Sequence, residues 1–502
     1  MNWRSARWLM CGCLLAAAGG RAQPQAAEPI GLFAGHTDVG AVLHAGSVVY
    51  DAAKRSYIIS GSGETVWATA DAFQFVWKKM EGDFTLTADI SVLGQGGDPH
   101  KKAMLMARQS LDADSAYADV ALHGVGLTSL QARETKGADT HEIQSNISAP
   151  KKLRLQKYGD EFTMWLAGED GVMRMAGGSM RVPMTGVFYV GLGVCAHNKD
   201  AVETAEFGKV ALGKVSLERG AQIYTTLETI DVASSDRRVT YVGAGLIVTP
   251  NWTADGASLV FDHVVAHGEG RIEIVSVAGG VPQLIYAGSG YGVDISPDGK
   301  MLAFVVQSGS GLPPMFYLMP IGGGTPQPAG TEARGVLSWP GWSPDGNTFV
   351  FTSGGPSEFA IFTTPVAGGR SNMLTEVSMS DMSYAEYSPD GEYIYFNSDR
   401  SGTTEIWRMR PDGSQQEQVT NDGAGNYSPR ISPDNRVVAF LTPQRGSRFA
   451  DAFEPLTLRV MSLADRKVRT LAKFTGAHWA TPVLSWSPDS KRIAFASYQG
   501  QR

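Results

Sequence analysis

The stretch WSPDGNTFVF, residues 342–351, joins a tight turn to an alternating apolar strand. Proline pre-sets φ at the first turn position, aspartate can cap the turn with its side chain, and glycine accepts the positive φ at which the chain reverses. Relatives of the phrase recur as WTADGASLVF, ISPDGKMLAF, YSPDGEYIYF, ISPDNRVVAF and WSPDSKRIAF. Their aspartates, Asp255, Asp298, Asp345, Asp390, Asp434 and Asp489, are spaced 43, 47, 45, 44 and 55 residues apart. That is the period of a four-stranded propeller blade. The phrase starts the second strand of each blade, and its aspartate is expected to hold the turn rather than to catalyse.

Six phrases imply six blades over residues 217–502, yet the chain ends with IAFASYQGQR, only two strands into the sixth. Residues 221–243, AQIYTTLETIDVASSDRRVTYVG, read as an outer strand pair without its inner pair. They are expected to complete the last blade, which would pair otherwise open strand edges and close the ring without a disulfide. The phrase and its continuation YFNSDRSGTTEIWRMRPDGSQQEQVT, residues 395–420, resemble the propeller repeats of the TolB-like group of periplasmic proteins. The resemblance runs over roughly residues 221–502 and implies the fold strongly. It implies function weakly, because one fold hosts many sites.

Residues 30–216 lack the phrase. Alternating segments such as FQFVWKK, GDFTLTADISVLG, KAMLMARQS, SAYADVALHG and VFYVGLGVCAH, separated by Gly-rich or acidic turns, predict a β-sandwich. SGETVWATADAFQFVWKKMEGDFTLTADI with LRLQKYGDEFTMW resembles the concanavalin A-like, laminin-G-like jelly-roll domains of exported bacterial proteins. The fold class expected is therefore all-β: a concanavalin A-like sandwich followed by a six-bladed TolB-like propeller closed by its N-terminal strands. This pairing looks like exported bacterial proteins of the TolB-like, biopolymer-transporter type.

The N-terminus carries Arg4 and Arg7, an apolar run from Trp8 to Ala18 and a small-residue cleavage site after Ala22. Residues 1–22 thus read as an export signal, placing the mature chain in the periplasm or outside the cell. Cys11 and Cys13 leave with it; Met10 is too large for a usual lipidation motif. No later segment reaches the ~20 apolar residues of a membrane-spanning helix. Cys195 then stands alone, so stability must come from a large β core and not from a disulfide framework. A formal charge of −7 without a basic stripe argues against nucleic acid.

Two ligand surfaces are expected. Strand alternation places Arg108, Tyr117, Asp119, His123, Gln131 and Arg133 on one sandwich face if their strands are neighbours, a polar set suited to saccharide hydrogen bonding. In the propeller, the residues two positions before each phrase or its turn are Asn251, Asp294, Gly341, Glu386, Arg430 and Ser485, on the phase that lines the funnel. Tyr291, Trp339, Tyr384 and Tyr427 would form an aromatic rim above them. The residues one place later, among them Trp252, Trp342 and Trp486, should pack between blades. His263 and His267 stand about 13 Å apart along a strand, too far to share a metal. No cofactor is expected, and structural calcium is not indicated. No GxSxG nucleophile elbow is present. These features favour a non-catalytic binding protein for a glycan or an envelope protein. A glycoside hydrolase or polysaccharide lyase and a TolB-like envelope scaffold are the alternatives.

Overall fold

The computed structural model describes residues 30–500 apart from residues 95, 216–222, 266–269, 289, 307–313, 331–335, 338, 356–357, 378–381, 445–452 and 478–482. The expected export signal lies outside the described residues, as does His267. Among the described residues all the regular elements are strands, and no helix is long and apolar enough to cross a membrane.

Two large sheets occupy the N-terminal part. One runs in the order Gly35–Val39, Phe73–Met80, Phe188–Cys195, Lys102–Arg108, Tyr117–His123, Thr128–Arg133, His141–Gln144. The other orders Met173–Arg181, Glu161–Ala167, Lys152–Tyr158, Phe84–Leu93, Asn198–Gly213, Ser56–Gly63 and Ser47–Asp51. Alternate residues of both sheets meet in one apolar cluster: Leu105, Val120, Leu130 and Leu192 from the first pack with Leu86, Leu155, Phe162 and Phe207 from the second. Period-two alternation therefore leaves Arg108, Tyr117, Asp119 and Gln131 on the far face of the first sheet.

Five blades follow, each a separate sheet. Their innermost strands are Leu246–Trp252, Gly290–Ile295, the split pair Val336–Leu337 and Gly341–Trp342, Met382–Tyr387 and Tyr427–Ile431. The sequence predicted six separate blades, and the structure corrects this to five. The strands expected to make the sixth, Ser485–Trp486, Arg492–Gly500, Ile223–Asp231 and Arg237–Ala244, pair in that order but form the end of the first large sheet. The joining bond pattern is a short parallel pairing of Ile143 and Gln144 with Arg237 and Arg238. These strands are tied to the second large sheet as well: Arg237 makes a two-pronged ion pair with Glu228 and its Nη1 donates to the Ser179 carbonyl at 3.1 Å.

These four strands touch blades on both sides. Ile230, Ile493 and Phe495 pack with Leu441, Leu458 and Phe474 of the fifth blade; Leu227 and Ala494 pack with Ile247 and Leu259 of the first. Ile223–Asp231 pairs with Arg492–Gly500 over nine residues, so the beginning and end of the propeller region are stitched together.

The repeated phrase is a hydrogen-bonded turn in all six copies. The hydroxyl of Thr253, Ser296, Ser343, Ser388, Ser432 or Ser487 donates to the phrase aspartate at 2.5 to 2.7 Å. The same carboxylate accepts the backbone N–H two residues on at 2.9 to 3.1 Å. The aspartate is thus consumed by the turn, at the outer edge of the innermost strand.

Candidate functional site

Four of the five innermost strands reach the propeller axis through a β-bulge. The register breaks between Val248 and Asn251, Tyr291 and Asp294, Ser383 and Glu386, and Tyr427 and Arg430. Inside these bulges Thr249, Gly292, Tyr384 and Ser428 have positive φ, each two residues before a funnel residue. An extra residue in a strand re-aims the side chains beyond it, and here it turns Asn251, Asp294, Glu386 and Arg430 inward.

The result is a cavity of about 530 Å³ whose wall includes all six of the expected funnel positions: Asn251, Asp294, Gly341, Glu386, Arg430 and Ser485. Trp339 and Tyr384 also line it, with ring centroids 5.1 Å apart. Tyr291 and Tyr427, each one residue before a bulge centre, are not among the lining residues; they pack with the blade cores, Tyr427 with its ring centroid 6.4 Å from that of Tyr384. The aromatic rim is therefore two rings where the sequence predicted four. Trp252 and Trp486 wedge between blades as expected and donate their indole N–H to the carbonyls of Ser485 and Arg430, at 3.1 and 2.9 Å.

Inside the funnel Arg430 Nη1 stands 2.9 Å from Glu386 Oε2, and its Nε donates to the Leu484 carbonyl at 3.0 Å. Asn251 donates to the Val293 carbonyl of the next blade at 2.6 Å. Asp294 accepts the Ile295 amide at 2.9 Å. Burial pushes the Asp294 carboxyl up to about 7, with Arg430 opposing and Glu386 adding to the rise. Burial also raises Glu386, against the pull of Arg430. The funnel thus holds a carboxyl that titrates near neutrality beside an ion pair and under two aromatic rings. Such a site can accept or donate hydrogen bonds, exchange a proton and stack a planar group.

The sandwich set is also brought together. Arg108 pairs with Tyr117 and Tyr117 with Arg133 across adjacent strands, while Asp119 lies opposite Gln131 and Met106. All six side chains are buried, five of them at 0 % exposure and His123 at 5 %. A strap of two short strands, Val66–Trp67 and Ala70–Asp71, covers them. Asp71 accepts from Arg108 at 2.7 Å and from Arg133 at 2.8 and 2.9 Å, and Lys102 donates to the Val66 carbonyl at 2.7 Å and to Gln131 at 3.0 Å. The polar face expected to be open to a saccharide is closed in this arrangement. Asp119 is held up to about 8 by burial, both its oxygens being buried without a hydrogen-bond partner, and burial drives His123 down to about 3.

Asp71 and Lys102 are the members of this cluster missed by sequence reasoning. Lys102 shares the register of His123 and could have been found by the same alternation; Asp71 belongs to the strap and carries no periodic signal. His263 has both ring nitrogens engaged, Nδ1 with Glu273 at 2.8 Å and Nε2 with the Ala244 carbonyl at 2.9 Å. Among the described residues no group of three His, Cys, Asp or Glu side chains is arranged to hold a metal.

Repeated four-stranded blades around a polar, aromatic-edged funnel define a β-propeller protein. Residues 314–502 match the TolB beta propeller domain family. An uncharacterized protein of Agrobacterium fabrum (strain C58) is 30% identical over 299 residues, covering 57% of this chain and 96% of the relative. The chain belongs to the TolB β-propeller family. Among solved structures, a putative TolB from Agrobacterium tumefaciens is 29% identical with a TM-score of 0.49, covering 55% of this chain and 99% of its own. TolB from Acinetobacter baumannii is 16% identical with a TM-score of 0.40, covering 68% and 78% respectively.

Proposed function

We propose that this chain is an exported, periplasmic or secreted, non-catalytic binding protein for a glycan or cell-envelope component, with the propeller funnel as its docking site. The observation that carries the reading is the convergence of Asn251, Asp294, Glu386, Arg430, Trp339 and Tyr384 on one cavity of about 530 Å³. A cavity of that size, with a few polar groups converging beside aromatic surface, is the usual form of a small-ligand site. The strands Ser485–Trp486, Arg492–Gly500, Ile223–Asp231 and Arg237–Ala244 serve as the sixth wall of the ring, and the two large sheets form a concanavalin A-like jelly roll that holds it. On this reading the polar sandwich face becomes a second ligand surface only if the Val66–Asp71 strap lifts.

Membership of the TolB family favours a second reading, a scaffold in a Tol–Pal-type envelope system. A glycan array with the purified chain, followed by titration calorimetry on the hits, tests the first. Binding that is lost on Trp339→Ala supports it. Pull-down of an envelope protein with no glycan affinity favours the scaffold. Release of reducing sugar that disappears in Glu386→Ala would replace both with an enzyme.

A further inference from the structure

The funnel holds two carboxyls and one guanidinium. Arg430 is committed to Glu386 and to the Leu484 carbonyl. Among the described residues no cation forms a salt bridge with Asp294; Arg430 attracts it from a distance and Glu386 repels it. At the ring position between the second blade's Asp294 and the fourth blade's Glu386 the third blade contributes Gly341, which has no side chain. The aromatic pair belongs to the same sector: Trp339 and Tyr384 come two residues before Gly341 and Glu386. The Trp339 ring is set in place by Gly292, where a Cβ would fall 1.7 Å from Cδ1 of the indole. One side of the funnel therefore combines two half-buried carboxyls, one of them without an ion-pair partner among the described residues, with a tilted pair of aromatic rings. Those are the two partners a cation prefers: an opposite charge partly withdrawn from water and a ring quadrupole.

We propose that the group recognised in the funnel is a protonated amine or guanidinium, held by Asp294 and Glu386 beneath Trp339 and Tyr384. This rests on the funnel being the ligand site. Recognition of this kind requires Asp294 ionised, so apparent affinity falls about tenfold for each pH unit below its pKa. The upward pull of burial on that carboxyl, to about 7, agrees with a group waiting for a counter-charge. The same cation chemistry is available from an amino sugar or from a lysine side chain, and the probes distinguish the two.

The test is calorimetric titration with a glucosamine trisaccharide against its fully N-acetylated form, and with Nα-acetyl-lysine amide against its Nε-acetylated form. The free-amine member of at least one pair is expected to bind ten times more tightly or better at pH 7.5. For the lysine probe, which stays protonated throughout, that preference should shrink by at least tenfold at pH 5.5. Asp294→Asn should remove the preference while leaving the melting temperature at pH 7.5 unchanged or higher. Equal binding of acetylated and free forms, or a preference that survives in Asp294→Asn, overturns the cation inference and leaves the funnel reading standing. If no probe binds and the glycan array is also blank, both fall.

Discussion

Arg430 Nη1 and Glu386 Oε2 lie 2.9 Å apart, a bond between the innermost strands of neighbouring blades. Their side chains are 17% and 28% exposed, so the pair is neither buried outright nor solvated. Arg430→Met leaves Glu386 without its partner and frees the Leu484 carbonyl. The expected loss is about 1–2 kcal/mol, discounted for partial exposure. Urea unfolding of both single variants and the double variant should show coupling; strict additivity would mean that the pair contributes nothing.

Asp71 is the pin of the sandwich strap. It answers two guanidiniums, Arg108 and Arg133, with all three side chains at 0% exposure. Asp71→Asn keeps the shape and removes the charge, leaving two buried cations uncompensated. A loss of about 3–5 kcal/mol is expected. An unfolding midpoint equal to that of the unsubstituted chain would show that the strap is not held by this carboxylate.

Gly292 has φ 71° and no room for a side chain. Gly292→Ala must displace the Trp339 indole and adopt a left-handed backbone angle, at a cost of about 1–3 kcal/mol. The altered tryptophan environment should appear in the fluorescence spectrum and in weaker ligand binding. Unchanged emission and affinity would detach Gly292 from the aromatic rim.

Stability should fall as pH rises from about 3.8 to about 8. Asp262 and Asp294 are raised to about 7 and Asp119 to about 8, in each case first by burial. Above the ordinary carboxyl value of 3.8 the unfolded chain releases these protons while the folded chain keeps them, so each group's contribution declines until its folded pKa is passed. His123, lowered to about 3, works in the opposite direction, but only between 3 and 6.5. The turn aspartates Asp255, Asp298, Asp345 and Asp489, lowered by their hydroxyl and amide bonds, add stability that is lost only in acid, below 3.8. Denaturation free energies at half-unit steps should show the decline, and Asp119→Asn should flatten its upper part between 7 and 8. An identical slope in the variant would locate the dependence elsewhere.

The funnel positions were legible because the repeated turn supplies a register: once SPDG is aligned, alternation points Asn251, Asp294, Glu386 and Arg430 at the axis. The bulges were not legible. Their positive-φ residues are Thr249, Gly292, Tyr384 and Ser428, four different types of which only glycine advertises the conformation. That is why Tyr384, at a bulge centre, reaches the cavity while Tyr291 and Tyr427, one residue before theirs, pack with the blade cores. Alternation likewise grouped Arg108, Tyr117, Asp119 and Gln131 correctly on one face. Their burial depends on Val66–Asp71, a segment distant in sequence with no pattern of its own. Fusion of the last four strands with the sandwich sheet rests on two parallel residue pairs, too few to leave a periodic trace.

The stitching of Ile223–Asp231 to Arg492–Gly500 also sets an order of events. Glu228 and Ser497, bonded across that seam, are 269 residues apart. Each blade is a run of local hairpins that can form as soon as its own residues are available, but the seam carries the full entropy of closing a very long loop. The strand that completes it, Arg492–Gly500, comes after all five blades in chain order. The ring can therefore close only once every blade has been synthesised, and until then Ile223–Asp231 presents an open ladder of backbone groups.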